Sequence, residues 1–352
     1  MISQAPGPPV GAKPRGSTRV AVVGGGVIGL AIAWRCAGRG LDVTVYDAGG
    51  GRASDVAAGM LAVTGEANPG EEALRQLMRI SAERWPAFAA ELGVDVGYRD
   101  EGTLLVALTG DDLHEVRRLC ARTGLDPVTA DELRDREPLL SPRIRGGAYA
   151  PADRQVDPRR VLDALRGLVP VERRAVDDLS TLDADRIVVA AGVGTAALTG
   201  LPVRPVKGQT VRLRSDGTIR HVIRGWARGR HVYLVPRADG ELVVGATEEE
   251  RGLDTSVTAG GLLDLLRPAA ELVPAVAEYP VCEVLAGLRP GTPDNAPLLG
   301  EWKDGVVVAT GHHRNGVLLA PVTADAIAEL VATGVTPDEI RPFAVTREVR
   351  CA

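Results

Sequence analysis

The sequence is poor in the side chains that build several kinds of site. Only 3% of its residues are aromatic, and lysine occurs only at Lys13, Lys207 and Lys303, the remaining cationic positions being arginine. With a formal net charge of -5 and no basic stretch interleaved with aromatics, the chain lacks the electrostatic footprint of a nucleic-acid binder. The four cysteines, Cys36, Cys120, Cys282 and Cys351, are scattered and form no CxxC pair. Structural thiols in a reducing cytoplasm are therefore expected, with no metal site. His312 and His313 are adjacent, which does not put two ligands on one helix face. No uninterrupted apolar run is long enough to span a bilayer. Residues 1–17 are rich in Pro and Gly and lack an apolar h-region, so they read as a disordered tail and not as a signal peptide.

What is present begins with RVAVVGGGVIGLAIAWRCAGRGLDVTVYDA, from Arg19 to Ala48. Val20 to Val23 form a β-branched run of the kind that makes a buried parallel strand. Gly24, Gly26 and Gly29 follow at GxGxxG spacing; a helix is expected from about Val27 to Arg39, and a second strand, Val43 to Tyr46, finishes on Asp47. Gly24 permits the turn out of the strand, Gly26 lets a pyrophosphate approach the backbone, and Gly29 allows close helix–sheet packing. The phosphates would meet the free N–H groups and positive dipole end of the helix. Asp47 suits the ribose 2′- and 3′-hydroxyls and would repel a 2′-phosphate, which disfavours NADP. Strand, glycines, helix, strand and acid in register predict adenine-dinucleotide binding.

Further along, amphipathic spacing predicts helices over Glu71–Leu92, Asp111–Thr123 (capped by Asp111 or Asp112), Pro158–Leu168, Gly260–Leu272 and Val317–Thr333. Strands are expected over Gly102–Leu108, Gly146–Ala150, Gln155–Val156, Arg186–Ala191, Val206–Leu213, His231–Pro236, Glu241–Thr247, Cys282–Leu288 and Gly305–Thr310. Arg237 to Gly240 reads as a hairpin turn. Buried parallel-type strands at the start, middle and end, separated by antiparallel-looking stretches, imply a discontinuous nucleotide-binding domain over 18–95, 150–205 and 284–345. A mostly antiparallel α+β substrate domain over 96–149 and 206–283 is inserted in it.

NAD and FAD both fit the first βαβ unit, and two features favour FAD. After Asp47 come Arg52, Ser54 and the small-residue run Ala57-Ala58-Gly59-Met60, suited to a backbone passing close to a flat ring. The C-terminal VVVATGHHRNGVLLAPVTADAIAEL offers a second helix N-terminus, with N–H groups near Asn315, Gly316, Val317 and Leu318 that can face the flavin pyrimidine edge.

The stretches VAVVGGGVIGLAIAW, GGRASDVAAGML, DRIVVAAGVGT, PVKGQ, YLVPRADGELVVGAT, AGLRPGTPDNAPLLG and GHHRNGVLLAPVTADAIAELV run in order from Val20 to Val331. Through them the chain resembles the flavoprotein D-amino acid oxidase superfamily, and most of all its bacterial glycine oxidase branch, linked to thiamine biosynthesis. The resemblance implies an α/β Rossmann-type, glutathione-reductase-like FAD domain with the inserted domain, and FAD held without a covalent bond. It implies oxidation of glycine by O2 to glyoxylate, ammonia and hydrogen peroxide, with the imine feeding thiazole synthase, in a cytoplasmic homo-oligomer. Arg289 matches the family's carboxylate-binding arginine, Arg314 a second arginine beside flavin and substrate, and Tyr233 a pocket tyrosine. A planar, permanently charged guanidinium suits a carboxylate in a dry pocket. For FAD, the resemblance places Val27 and Ile28 at the pyrophosphate, Asp47 and Ala48 at the ribose, and Val176 at the adenine. Ala53, Ser54, Ala58, Gly59, Met60 and Gly192 would lie along the cofactor, and His312, His313, Arg314, Asn315, Gly316, Val317 and Leu318 would close over the ring.

Two departures stand out. The family's longer hairpin before VVVAAG is short here, and Glu248 follows GAT where the pattern places an apolar pocket residue. A carboxylate facing a substrate carboxylate is costly, so Glu248 is expected either to turn outward or to select for the amine. Oxidation of sarcosine or a small D-amino acid, by an oxidase or a dehydrogenase, uses the same Arg289 logic and is the alternative. An FAD-binding protein without turnover is the alternative of another class, opposed by Arg289, Arg314 and Tyr233.

Overall fold

The computed structural model describes residues 17–50, 53–64, 70–303 and 305–347. The expected tail except Ser17, together with Arg52 and Cys351, lies outside the described residues.

Two large sheets organise the molecule. The first has six strands in the order Leu298–Lys303, Val306–Thr310, Arg186–Val189, Arg19–Val23, Asp42–Tyr46 and Val171–Glu172. All neighbours are parallel except the antiparallel edge pair formed by Leu298–Lys303 and Val306–Thr310. Its strands are short and β-branched because both faces are covered. On one side the helix Val27–Gly38 packs against Ala320–Thr333 and Pro158–Leu168. Val27–Gly38 is apolar almost all round, with Leu30, Ala31, Ile32 and Ala33 fully buried, as befits a helix enclosed by protein. Helix Glu72–Glu91 adds Trp85 and Phe88 to this core.

The second sheet has eight strands in the order Val281–Gly291, Arg204–Arg214, Glu241–Gly245, Arg230–Pro236, Val222–Ala227, Thr103–Ala107, Gly146–Ala150 and Pro127–Val128. It is antiparallel except where Val222–Ala227 runs parallel to Thr103–Ala107. The two long strands Arg204–Arg214 and Val281–Gly291 pair with each other and continue through positions 206 and 284. Arg237 to Gly240 forms the expected hairpin turn, with Gly240 at φ 87°.

Short elements such as the strands Pro127–Val128, Val171–Glu172 and Leu298–Lys303 were not expected, and three further details differ from the sequence expectations. Helix Gly110–Thr123 is capped by Thr109, not by either aspartate: the Thr109 side chain accepts from Asp112 N–H, and the Asp112 carboxylate accepts from Thr109 N–H. That reciprocal arrangement satisfies two end donors, whereas Asp112 as N-cap would satisfy one. The last helix spans Ala320–Thr333, preceded by a tight 3₁₀ turn at His313–Asn315. Strand Val222–Ala227 was not expected, because Arg224 and Gly225 interrupt its β pattern; Gly225 is needed because a side chain there would collide with Leu272 and Val106.

Candidate active site

A cavity of about 670 Å³ lies between the two sheets, within the range of sites that take a small ligand or cofactor. Its first wall is the strand–glycine–helix unit. Gly24 and Gly29 approach each other so closely that a Cβ on Gly29 would strike the Gly24 carbonyl. Gly29 therefore packs helix on strand and does not line the cavity, while Gly24, Gly26, Val27 and Ile28 do. Val27 N–H donates to Ser54 Oγ at 3.1 Å, and Gly26 and Ile28 N–H make no hydrogen bond to the described residues. A helix start with donors left over, facing an open cavity, is an anion site.

Asp47 lines the same cavity with Ala48. Its backbone N–H donates to Glu172 O at 2.9 Å, and Arg174 N–H donates to Asp47 O at 3.0 Å. The chain after strand Val171–Glu172 is thereby laid alongside Asp47, which brings Val176 to the cavity despite the short hairpin. Gly192 enters from the turn after strand Arg186–Val189, and its carbonyl accepts from Thr310 Oγ1 at 3.2 Å.

Ala53, Ser54, Ala58, Gly59 and Met60 form the next stretch of wall. Arg237, 6% exposed, holds it: the guanidinium donates to the carbonyls of Ala58 and Val156 and to Gln155 Oε1. Its place in the sequence predicts only a turn role for Arg237, and nothing local to it signals this reach. Opposite, His312, His313, Arg314, Asn315, Gly316, Val317 and Leu318 all line the cavity. Asn315 N–H is spent on His312 O at 2.9 Å, so it is not a free donor as expected; Gly316, Val317 and Leu318 N–H make no backbone hydrogen bond to the described residues. From behind, Ser81 Oγ and Trp85 Nε1 donate to Leu318 O at 2.6 and 3.0 Å. Burial pushes the His312 imidazole down to about 3, so it is neutral, and its Nε2 lies 3.1 Å from Thr323 Oγ1.

The eight-stranded sheet supplies the remaining wall. The Arg289 guanidinium lies over Gly208, where a Cβ would sit 2.5 Å from Nη1 and Nη2. Nη1 donates to Thr247 O at 3.0 Å, while Nη2 makes no hydrogen bond to the described residues. The Tyr233 ring covers Gly245 in the same way. Glu248 lines the cavity with its side chain 57% exposed, 3.8 Å from His313 Nε2. It thus stands at the mouth, in contact with solvent. Among the cavity residues that the sequence does not predict are Arg224, on the unexpected strand, and His231, pushed down to about 3 by the surrounding protein and by the charges of Arg224 and Arg314.

Comparison with known proteins agrees with this architecture. Residues 19–330 match the family model described as FAD dependent oxidoreductase, abbreviated DAO. The chain belongs to the FAD dependent oxidoreductase family. Within it, the chain is 34% identical to the glycine oxidase of Geobacillus kaustophilus, over 94% of this chain and 97% of that protein. The crystal structure of a glycine oxidase from that species superimposes with a TM-score of 0.86 at 32% identity, covering 95% of this chain and all of that one. The bifunctional protein ThiO/ThiG of Trichormus variabilis is 33% identical over 89% of this chain, which spans 52% of that longer protein. The protein is a flavoprotein oxidoreductase of Rossmann type, with FAD as non-covalent cofactor; among the described residues no cysteine lines the cavity. No described helix is long and apolar enough to cross a membrane.

The cavity fits that cofactor on its own terms. Two sets of backbone donors with no backbone partner among the described residues, a carboxylate and a run of small residues all line it. Gly26 carries the same message, since a Cβ there would meet only Ser54 Oγ at 3.4 Å and otherwise point into open space.

Proposed function

We propose that the enzyme oxidises the Cα–N bond of a small amino acid, glycine first, to the imine, which water converts to glyoxylate and ammonia while O2 is reduced to hydrogen peroxide. The observation that carries this reading is Arg289: it lines the cavity together with Tyr233 and Arg314, and its Nη2 makes no hydrogen bond to the described residues. Bound FAD supplies the two-electron acceptor for the α-hydrogen. Arg289 binds the substrate carboxylate with its free edge, its other edge being fixed on Thr247 O, so the guanidinium is oriented before substrate arrives. Tyr233 donates its hydroxyl to the same carboxylate, and Arg314 closes the cofactor side. Gly26, Val27 and Ile28 hold the pyrophosphate, Asp47 and Ala48 the ribose, and Val176 the adenine. Ala53, Ser54, Ala58, Gly59, Met60 and Gly192 run along the cofactor, and His312 to Leu318 close over its ring. His312, neutral and bonded to Thr323, supports that loop and moves no proton.

The glycine oxidase relatives support glycine as substrate, and a relative whose description links it to thiamine biosynthesis supports a place for the imine in thiamine formation. A peroxide-coupled assay over glycine, sarcosine, D-alanine and D-proline, run beside an artificial electron acceptor, tests the reading. Glycine is expected to give stoichiometric peroxide. Turnover only with the artificial acceptor would make the enzyme a dehydrogenase, and no turnover with any of the four would overturn the reading.

A further inference from the structure

The acceptor that fixes Arg289 sits at an irregularity in the second sheet. Strands Arg204–Arg214 and Glu241–Gly245 pair as far as Thr210 opposite Gly245. Beyond that, Lys207 bridges to Glu249, each donating its N–H to the other's carbonyl at 2.9 Å. In a regular antiparallel ladder the next such pair, Gln209 and Thr247, would also exchange both bonds. They exchange one. Thr247 N–H donates to Gln209 O at 3.3 Å, but Gln209 N–H donates to the Thr247 hydroxyl at 2.9 Å. One step from Thr210 to Gln209 thus faces two from Gly245 to Thr247, which is a β-bulge. The hydroxyl has taken the place of its own carbonyl, and Thr247 O is released from the ladder. Arg289 starts opposite Val206, crosses Gly208 and donates to that released carbonyl at 3.0 Å, with Lys207 O farther off at 3.5 Å.

Side chains hold the bulge in this shape. Thr247 Oγ1 donates to Glu249 Oε1 at 2.6 Å, and Gln209 Nε2 donates to the same oxygen at 2.7 Å. The buried Gln209 amide is fixed from its other side by Thr258, the cap of helix Ala259–Leu272, whose N–H donates to Gln209 Oε1 at 2.9 Å. Lys207 Nζ, also buried, bonds to Asp254 at 2.9 Å and lies 4.0 Å from Glu249 Oε2. Lys207, Gln209, Thr247 and Glu249 do not line the cavity. They meet the site only through the guanidinium they support.

We propose that Thr247 and Glu249 are positioning residues for Arg289. The Thr247 hydroxyl frees the carbonyl by replacing it in the ladder, Glu249 keeps the hydroxyl in that role, and the carbonyl aims the guanidinium at the substrate carboxylate before it binds. This rests on the reading that Arg289 holds that carboxylate. In Thr247→Val the hydroxyl is gone, and Gln209 N–H, buried and without its acceptor, competes for the carbonyl that Arg289 uses. Glu249→Met leaves the hydroxyl free to turn away. Thr247→Ser and Glu249→Gln each keep the oxygen that matters.

The test uses the FAD-loaded enzyme. Acetate and propionate binding is read from the absorbance of the bound flavin, without turnover, beside kcat and KM for glycine and the Kd for FAD. Thr247→Val is expected to raise the carboxylate Kd and the glycine KM about tenfold, the scale of one hydrogen bond, with kcat and the Kd for FAD little changed. Glu249→Met should shift them the same way by less, while Thr247→Ser and Glu249→Gln should bind carboxylates as the wild type does. If Thr247→Val does not fold, the two Glu249 variants decide. The proposal falls alone if Arg289→Met loses carboxylate binding while Thr247→Val and Glu249→Met keep it. It also falls if those two weaken carboxylate and FAD binding in parallel, or if the Ser and Gln variants are as impaired as they are. It falls together with the Arg289 reading if Arg289→Met binds acetate as tightly as the wild type.

Discussion

Arg289 is the residue on which the chemistry turns, and its geometry sets the size of its effect. One guanidinium edge is committed to Thr247 O at 3.0 Å and the other faces the cavity, so truncation removes the ligand-binding edge and leaves the substrate carboxylate unpaired. Arg289→Met is expected to lower kcat/KM for glycine by about 2–4 kcal/mol, with the flavin spectrum retained; an unchanged kcat/KM would place the carboxylate elsewhere. Histidine and aspartate set the response to acid. His312 is held neutral by burial, with its pKa down to about 3, so the unfolded chain binds that proton first and stability falls as pH drops from 6.5 towards 3. Asp153 acts oppositely: burial raises its pKa to about 6, so its contribution is full at low pH and is lost as pH rises through 6. The histidine's displacement is the larger, and His231, open to the cavity, adds a weaker push of the same sign. The melting temperature should therefore rise between pH 4.5 and 6.5, more steeply in Asp153→Asn and less steeply in His312→Gln. A flat profile in the wild-type protein would refute this balance.

At the scale of elements, the cap of helix Gly110–Thr123 is also a joint between two parts of the second sheet. Asp112, 2% exposed, accepts from Thr109 N–H and Oγ1 and, across the sheet, from Arg228 and Gly229 N–H at 2.9 and 2.8 Å. Thr109→Ala removes one cap acceptor and should cost about 1 kcal/mol. Asp112→Ala strands donors on both the helix and the Ala227–Arg230 turn and should cost roughly 3 kcal/mol. Urea unfolding distinguishes the two, and equal losses would mean that the joint carries nothing. The T-x-x-D spacing of this cap was readable in the sequence, although two neighbouring aspartates competed with it. Strand Val222–Ala227 was less readable, since Gly225 owes its presence to Leu272 and Val106, far away in the chain. Arg224 was invisible for the same reason: its place beside Tyr233 depends on strand register, which no local pattern encodes. The first βαβ unit was legible because its turn, helix start and acidic tip all lie within thirty residues and each follows from local chemistry.

For the whole molecule, the decisive feature is a cavity walled by both sheets, so a bound cofactor would contact both. A ligand that binds only the folded state at a hundred times its Kd adds about 2.7 kcal/mol. In a chain of this size that corresponds to a rise in Tm on the order of 5 °C. Two glycines separate cofactor binding from folding. Gly26 has ordinary backbone angles, φ -80° and ψ 177°, and a Cβ there meets only Ser54 Oγ at 3.4 Å. Gly26→Val should leave the Tm of the FAD-free protein nearly unchanged and abolish the gain on adding FAD, because the new side chain occupies the pyrophosphate's place. Gly29 has no such room, since a Cβ would strike the Gly24 carbonyl, so Gly29→Val should lower the Tm with or without FAD. Paired melts of the two variants make the comparison. If Gly26→Val kept the full FAD-dependent rise, the phosphates would have to bind away from this helix start.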